Sequence, residues 1–108
     1  MTADKKYMEY IMDLLAPIGG VNSRAMFGGY GIFHEGVMFA LIAYSRLYFK
    51  VNDSNRPQYE KAQCEQFLNM PYYEVPASLL DDITTLHNWA RTSIAIAQAS
   101  PSKKKRKS

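Results

Sequence analysis

The sequence predicts an α+β fold in which helices pack on an antiparallel sheet. The first observation behind this prediction is the stretch 23–51, where β-branched and aromatic residues form three consecutive runs separated by short turn signals. The second is that the segments before and after this stretch repeat their apolar residues with the spacing of an α-helix. The predicted order of elements is α-β-β-β-α-β-β-α.

The first element is a predicted amphipathic helix over residues 4–16. Pro17 and Gly19-Gly20 end it, since both residue types disfavour a continuing helix. The apolar stripe of this helix is formed by Tyr7, Ile11, Leu14, Leu15 and Ile18.

Three antiparallel strands are predicted next, over residues 24–34, 37–43 and 46–51. Glu35-Gly36 suits a tight hairpin, and Ser45 lies in a second short connection. The middle strand is apolar on both faces, which predicts a central strand covered on both sides or covered on one side by a partner subunit. The third strand alternates, with Leu47, Phe49 and Val51 on one face and Arg46, Tyr48 and Lys50 on the other.

The second half of the chain returns to helical patterns. A second helix is predicted to start near residues 55–57, because proline suits a first helical turn. Short strands around 65–68 and 72–75 extend the sheet, and Pro76 begins a turn of helix that runs to Leu80. The last helix is capped by Asp81 or Asp82. Its buried stripe consists of Ile83, Leu86, Ala90, Ile94 and Ala97.

The stretch 23–51 contains a glycine-rich motif formed by Met26, Phe27, Gly28, Gly29, Tyr30 and Gly31. The runs VMFALIA and RLYFKV follow it, and then NRP, YYEVP and WAR. In this order these pieces resemble the N-terminal domain of the TfoX/Sxy family of bacterial competence regulators, and the glycine-rich motif is the most specific of them. The resemblance spans residues 7–99 and implies the same order of elements, in a fold similar to that of type III secretion chaperones.

The chain departs from the family pattern in two places. Residues 67–71 replace a longer stretch, so the fourth strand is expected to be short or absent. Full-length competence regulators carry a second, C-terminal domain, whereas this sequence is expected to be a stand-alone N-terminal domain.

At 108 residues, the chain suits one domain over residues 1–100, followed by a disordered basic tail over 101–108. Eight of the thirteen Lys and Arg residues and all ten acidic residues precede the tail, so residues 1–102 carry a formal charge of −2. The other five cations are Lys103, Lys104, Lys105, Arg106 and Lys107. Such a cluster attracts phosphates without base specificity, or simply aids solubility.

The sequence offers no case for an enzyme, a metal or a cofactor. The glycine motif lacks the following helix and the Gly-Lys-Ser/Thr ending of a phosphate-binding loop, so a bulge or sharp bend in a long strand is expected. His34 and His87 stand alone, and the single cysteine, Cys64, excludes an internal disulfide. No run reaches the length of a membrane span, and no signal peptide is evident, so a cytoplasmic protein is expected.

The alternating strand raises one binding hypothesis. Arg46, Tyr48 and Lys50 share a face and, with Tyr30 or Phe27 nearby, could form a stacking platform for single-stranded nucleic acid. The alternative is that this face is covered by a helix or by a partner subunit.

Three functional hypotheses follow. The resemblance implies a non-catalytic regulator or adaptor, because TfoX/Sxy proteins promote transcription of DNA-uptake genes together with the cyclic-AMP receptor protein. Its partner would be a protein, such as a component of the transcription machinery, and the tail would add weak contact with DNA. The alternatives are a nucleic-acid-binding module and a chaperone-like interaction domain that forms a homodimer.

Overall fold

The computed structural model describes residues 2–26 and 28–99, and the predicted tail and Phe27 lie outside these ranges. Within these ranges the helices are α1 (Thr2–Leu15), α2 (Arg56–Lys61) and α3 (Ile83–Ala99), with short 3₁₀ segments at Ala16–Ile18 and Ala77–Asp81. The strands are β1 (Val21–Met26), β2 (Gly29–His34), β3 (Val37–Ala43), β4 (Arg46–Lys50) and β5 (Tyr72–Glu74). No helix in the described ranges is long and apolar enough to cross a membrane.

The five strands form one antiparallel sheet in the order β1-β2-β3-β4-β5, which confirms the predicted α+β fold class. The connection at Glu35 and Gly36 is a two-residue hairpin with positive φ at both residues, as a type I′ turn requires. The next hairpin uses Tyr44 and Ser45, again with positive φ at both residues. These two turns fix the register of β2, β3 and β4.

Two strand predictions are corrected by the structure. The stretch 24–34 is not one bent strand but belongs to the two antiparallel strands β1 and β2, because the chain reverses between Met26 and Gly29, which pair with each other. The predicted strand at 65–68 is reduced to an isolated bridge between Gln66 and Tyr73, in line with the expected short or absent fourth strand. In the part of the chain that the structure describes, the total of five strands is as predicted, but four precede α2 and one follows it, where three and two were predicted.

The main core lies on one face of the sheet, beneath α1 and α3. The predicted stripes of both helices enter it, except that Ile83 is 41% exposed at the start of α3. A bulge in β3 leaves Phe39 without a partner on β2, so that Phe39 and Ala40 both face this core. The fully buried core residues include Ile11, Leu15, Ile32, Phe39, Phe49, Tyr59 and Leu86.

A smaller cluster covers part of the opposite face of the sheet. Leu41, Tyr48 and Tyr72 form its buried centre, and Phe67 and Met70 pack over them. The covering residues belong to the segment between α2 and β5, not to a helix. The middle strand is therefore covered on both sides in part of its length, as its doubly apolar sequence predicts.

Candidate interaction face of the sheet

On the side of the sheet opposite α1 and α3, the smaller cluster includes no described residue of β1 or β2. The strand register places Arg24, Met26, Gly31, Phe33 and Met38 there, and these five residues are called the open face. The three large apolar side chains of this set are half-buried, and Arg24 is exposed. The open face adjoins the smaller cluster through Met38, which packs against it.

Gly31 shapes the centre of the open face. A Cβ atom at this position would lie 2.7 Å from the Met26 sulfur and 3.0 Å from the Met38 sulfur. The absence of a side chain therefore allows the two thioethers to approach each other across the middle of β2. The Arg24 guanidinium lies 4.9 Å from the centre of the Phe33 ring, which places a cation above an aromatic face at the rim.

The side chains of the open face offer apolar contacts and one cation. Methionine side chains are flexible and polarisable, so a surface built from them adapts to apolar segments of different shape. The described residues contain no group of three His, Cys, Asp or Glu side chains that could hold a metal ion.

The predicted basic and aromatic residues of β4 do lie on one face of the strand, but all three have partners within the protein. Tyr48 is 7% exposed, and its ring centre lies 4.9 Å from that of Phe67. Burial and the nearby Glu74 carboxylate raise the pKa of Tyr48. Arg46 contacts Glu74 at 3.3 Å.

Lys50 and Tyr30 complete the predicted platform. The Lys50 ammonium lies 5.6 Å from the centre of the Tyr72 ring. Tyr30 faces the helix side, where it packs against the main core, so the structure does not bring it together with the β4 residues. Phe27 lies outside the described residues. The nucleic-acid role of these residues stays a prediction, and Tyr48 offers no free ring for stacking.

The glycine motif forms the β1–β2 hairpin. Gly28 has a φ of +75°, and a Cβ on Gly29 would collide with the Ile42 carbonyl oxygen. An open cavity of about 410 Å³ lies beside this hairpin, lined by Ala25, Met26, Gly28, Gly29 and Tyr30. None of these lining residues has a charged side chain, so the motif gives no support to a phosphate site.

The isolated polar residues named in the sequence have structural partners. The His87 ring nitrogen Nε2 lies 2.7 Å from the Leu14 carbonyl, and His34 Nδ1 lies 3.0 Å from the Gln98 amide. Both contacts join helices to neighbouring elements. Burial raises the pKa of the Cys64 thiol, which disfavours the reactive thiolate.

The last helix is capped by Asp82, one of the two residues predicted for this role. Its carboxylate accepts hydrogen bonds from the Thr85 main-chain N–H at 3.3 Å and from the Thr85 hydroxyl at 2.8 Å. The bond from the Thr85 N–H gives a partner to one of the main-chain N–H groups that the first turn of a helix leaves unpaired.

Sequence inspection missed one polar junction at the end of β4. The Lys50 carbonyl accepts hydrogen bonds from the Ser93 hydroxyl at 2.7 Å and from the Asn55 side-chain amide at 3.2 Å. Asn55 also accepts a hydrogen bond from the Asn52 main-chain N–H at 2.9 Å. These contacts fasten β4, the start of α2 and α3 together. The only sequence signal was the polarity of Ser93 within the apolar stripe of α3.

The sheet, its two covering helices and the open face define a small α+β domain whose distinctive surface is apolar. The chain belongs to the TfoX N-terminal domain family, which matches residues 13–97. It is 31% identical over 78 residues to a protein named DNA transformation protein TfoX1 from Aliivibrio fischeri. This match covers 72% of the present chain and 37% of the relative. The chain thus corresponds to less than half of that protein.

Proposed function

We propose that this protein is a non-catalytic regulator connected with DNA transformation, and that it acts as an adaptor by binding a protein partner on the open face. The family membership and the name of the Aliivibrio fischeri relative support the connection with transformation. The observation that carries the adaptor role is the cluster of Met26, Phe33 and Met38 around Gly31. An uncovered apolar surface of this kind is typical of an interaction site.

The proposed partner presents an apolar segment with an acidic group at its edge. Met26 and Met38 would take up the apolar side chains, because their flexible thioethers can fit different shapes. Arg24 stands at the rim, where an acidic group of the partner would pair with it.

The proposed setting is transcription in the cytoplasm. In this proposal, the partner is a component of the machinery that transcribes DNA-uptake genes with the cyclic-AMP receptor protein. The five cations from Lys103 to Lys107 add weak, sequence-independent attraction to DNA, since they neutralise phosphates and release counterions. The folded domain over 1–100 would bind the partner specifically, and the tail would hold the protein near DNA.

A transcription reporter tests this proposal. The full chain is expressed in Aliivibrio fischeri cells that lack DNA transformation protein TfoX1 and carry a reporter for a DNA-uptake promoter. We expect the reporter signal to rise, and to rise only in cells that contain the cyclic-AMP receptor protein. A chain that leaves the reporter at the level of the empty vector would contradict the role in transformation.

Variants of the open face test the adaptor mechanism. Met38→Glu places a carboxylate among the half-buried side chains of the open face, and Met38→Gln is a milder change at the same position. The matched control is Ile83→Glu, which makes an apolar-to-acidic change at an exposed position on the helix side. We expect both Met38 variants to lose the reporter signal while circular dichroism shows that they remain folded. A folded Met38→Glu protein with full signal would exclude the open face as the partner surface.

A further inference from the structure

The two edges of the sheet differ in how they end. The outer edge of β5 is occupied, because Phe67 donates its main-chain N–H to the Tyr72 carbonyl at 2.8 Å and Glu74 donates to the Glu65 carbonyl at 2.9 Å. The outer edge of β1 pairs with no described strand. At six residues β1 is a full-length strand, and it carries no proline or lysine of the kind that blocks edge pairing. Among the described residues, β1 is therefore the free edge of this sheet.

The hydrogen-bond pattern identifies which main-chain groups point outward from β1. The Glu35 N–H bonds to the Gly20 carbonyl at 3.1 Å, so Gly20 faces β2. Since antiparallel pairing alternates, residues 22, 24 and 26 also face β2, whereas Val21, Ser23 and Ala25 direct their N–H and C=O groups away from it. Six polar groups of the main chain thus stand at the free edge.

We infer that β1 is a homodimer surface, at which the β1 strands of two copies pair antiparallel around a two-fold axis at Ser23. In this register Val21 pairs with Ala25 of the second copy, Ser23 with Ser23, and Ala25 with Val21. All six outward groups of each copy then find partners, which makes six interchain hydrogen bonds. If the register shifts by one residue pair in either direction, only two pairs of outward-facing residues form instead of three.

The side chains of β1 fit the same register. On the open-face side, Arg24 lies opposite Asn22 of the second copy, so that no like charges meet. A shift that set Arg24 opposite Arg24 would bring two cations together. On the helix side, Val21 lies beside Ala25, a small residue that is exposed although it faces the helices. This complementarity of the strand with itself favours a second copy over an unrelated strand.

The two-fold axis of such a pairing stands perpendicular to the sheet. The two sheets of five strands then join into one sheet of ten, with the helices of both copies on one side and both open faces on the other. The dimer would double the apolar surface available to a partner without burying it. Pairing of two β1 strands can be measured without any partner, so it is tested independently of the proposed role in transformation.

Sedimentation equilibrium of the full chain tests the pairing. Loading concentrations extend to about 500 μM, since so small an interface belongs to the weak, transient class. Ala25→Pro removes an outward N–H and leaves the β1–β2 ladder intact, whereas the control Ala25→Thr keeps the N–H. We expect a concentration-dependent dimer for the unchanged chain and for Ala25→Thr, and a monomer for Ala25→Pro.

Substitutions at the exposed Asn22 test the register by the direction of their effects. Asn22→Asp places a carboxylate opposite Arg24 of the other copy in both halves of the dimer, and Asn22→Arg places a cation there. We expect dimerisation to strengthen about threefold to tenfold for Asn22→Asp and to weaken by a similar factor for Asn22→Arg.

Three outcomes would overturn the inference. The unchanged chain could remain monomeric over the whole concentration range, which would assign the β1 edge to another kind of strand or to solvent. A dimer that persists in Ala25→Pro would lie elsewhere on the molecule. Weakening by both Asn22 substitutions would place Asn22 opposite Asn22 and contradict the register. None of these results bears on the reporter experiment, so the two proposals can fail separately.

Discussion

The Arg46 guanidinium lies against the Glu74 carboxylate on the neighbouring strand, with 3.3 Å between Nη1 and Oε1. The Arg46 side chain is 53% exposed, so this pair adds little to stability. The pair matters for nucleic-acid binding, because a phosphate that approached Arg46 would have to compete with the Glu74 carboxylate. Arg46, one of the two basic residues on β4 that the sequence offered for nucleic-acid binding, is thus partly neutralised within the fold.

We expect duplex DNA binding to depend on the tail and not on β4. In fluorescence anisotropy across a salt series, the full chain should bind weakly, with a logarithmic salt slope of up to about −4.5 for five phosphate contacts. A chain that ends at residue 100 should not bind. Arg46→Ala should leave the affinity of the full chain nearly unchanged, because Glu74 compensates its charge and residues 1–102 are net negative.

The control for tail length replaces the five tail cations with glutamine, and it should behave like the truncated chain. Binding that survives truncation and falls in Arg46→Ala would instead place a nucleic-acid surface on the folded domain.

The extent to which the sequence predicted this structure differs from element to element. The hairpin at Glu35-Gly36 and the Asp82 cap were predictable, because turn and capping preferences act over a few residues. The reversal between Met26 and Gly29 was not, since a glycine run permits a bend and a reversal equally. The pairing of β1 with β2, from Val21 opposite His34 to Met26 opposite Gly29, distinguishes them, and it joins residues up to 13 positions apart.

The candidate site was harder to predict than the fold. Alternation correctly placed Tyr48 and Lys50 on one face of β4, but the cover over Tyr48 comes from Phe67 in a segment without periodic structure. The open face depends on contacts among three strands around Gly31, so no local pattern shows it. The Ser93 contact with the Lys50 carbonyl joins residues 43 positions apart, beyond the reach of spacing rules.

Alanine substitutions at two glycines of the family motif should have different costs. A Cβ at Gly29 meets the Ile42 main-chain carbonyl, which cannot move without breaking the β2–β3 pairing. A Cβ at Gly31 meets the ends of the flexible Met26 and Met38 side chains. We expect urea unfolding to show a loss of about 3 kcal/mol or more for Gly29→Ala and about 1 kcal/mol for Gly31→Ala. Equal losses would contradict the close backbone approach at Gly29.

The two donors to the Lys50 carbonyl should be coupled energetically. Ser93→Ala removes one hydrogen bond and should lower the free energy of unfolding by about 1–2 kcal/mol. Asn55→Ala removes its bond to the Lys50 carbonyl and also the bond from the Asn52 main-chain N–H, so its loss should be somewhat larger. The double variant removes both side-chain donors to the same carbonyl, so its loss should exceed the sum of the single losses. A double-mutant cycle by urea unfolding measures this difference. Strict additivity would show that the two contacts act independently.

Stability should fall at alkaline pH because of a buried tyrosine. Burial raises the pKa of Tyr72 to about 12, above the value of about 10 for an exposed tyrosine. Between these two values the unfolded chain loses a proton that the folded chain keeps, so the free energy of unfolding decreases as the pH rises. The contribution is fully present below pH 10 and is lost as the pH approaches 12.

Tyr72→Phe removes this titrating group, so its unfolding free energy should fall less steeply than that of the unchanged chain above about pH 10. Trp89 fluorescence follows unfolding, since this is the single tryptophan of the chain. The Tyr59 hydroxyl, whose pKa is also raised by burial, still titrates in both proteins, so some slope should remain. Identical pH profiles for the two proteins would contradict the role of Tyr72.

The Tyr59 hydroxyl should be dispensable for stability. It is buried and has no hydrogen-bond partner among the described residues. Tyr59→Phe removes this uncompensated polar group and retains the aromatic contact with Trp89, whose ring centre lies 4.6 Å away. We therefore expect Tyr59→Phe to change the free energy of unfolding by between zero and about +1 kcal/mol.

Tyr59→Ala provides the contrast for this test. It leaves a cavity in the main core and should cost about 3–5 kcal/mol in urea unfolding. The difference between the two variants separates the ring from its hydroxyl. If Tyr59→Phe lost more than about 1 kcal/mol, the hydroxyl would have to form a stabilising bond in solution, with Ser93 as its partner. Repeating the measurement with Tyr59→Phe in a Ser93→Ala background would then show a smaller loss, because the partner would already be absent.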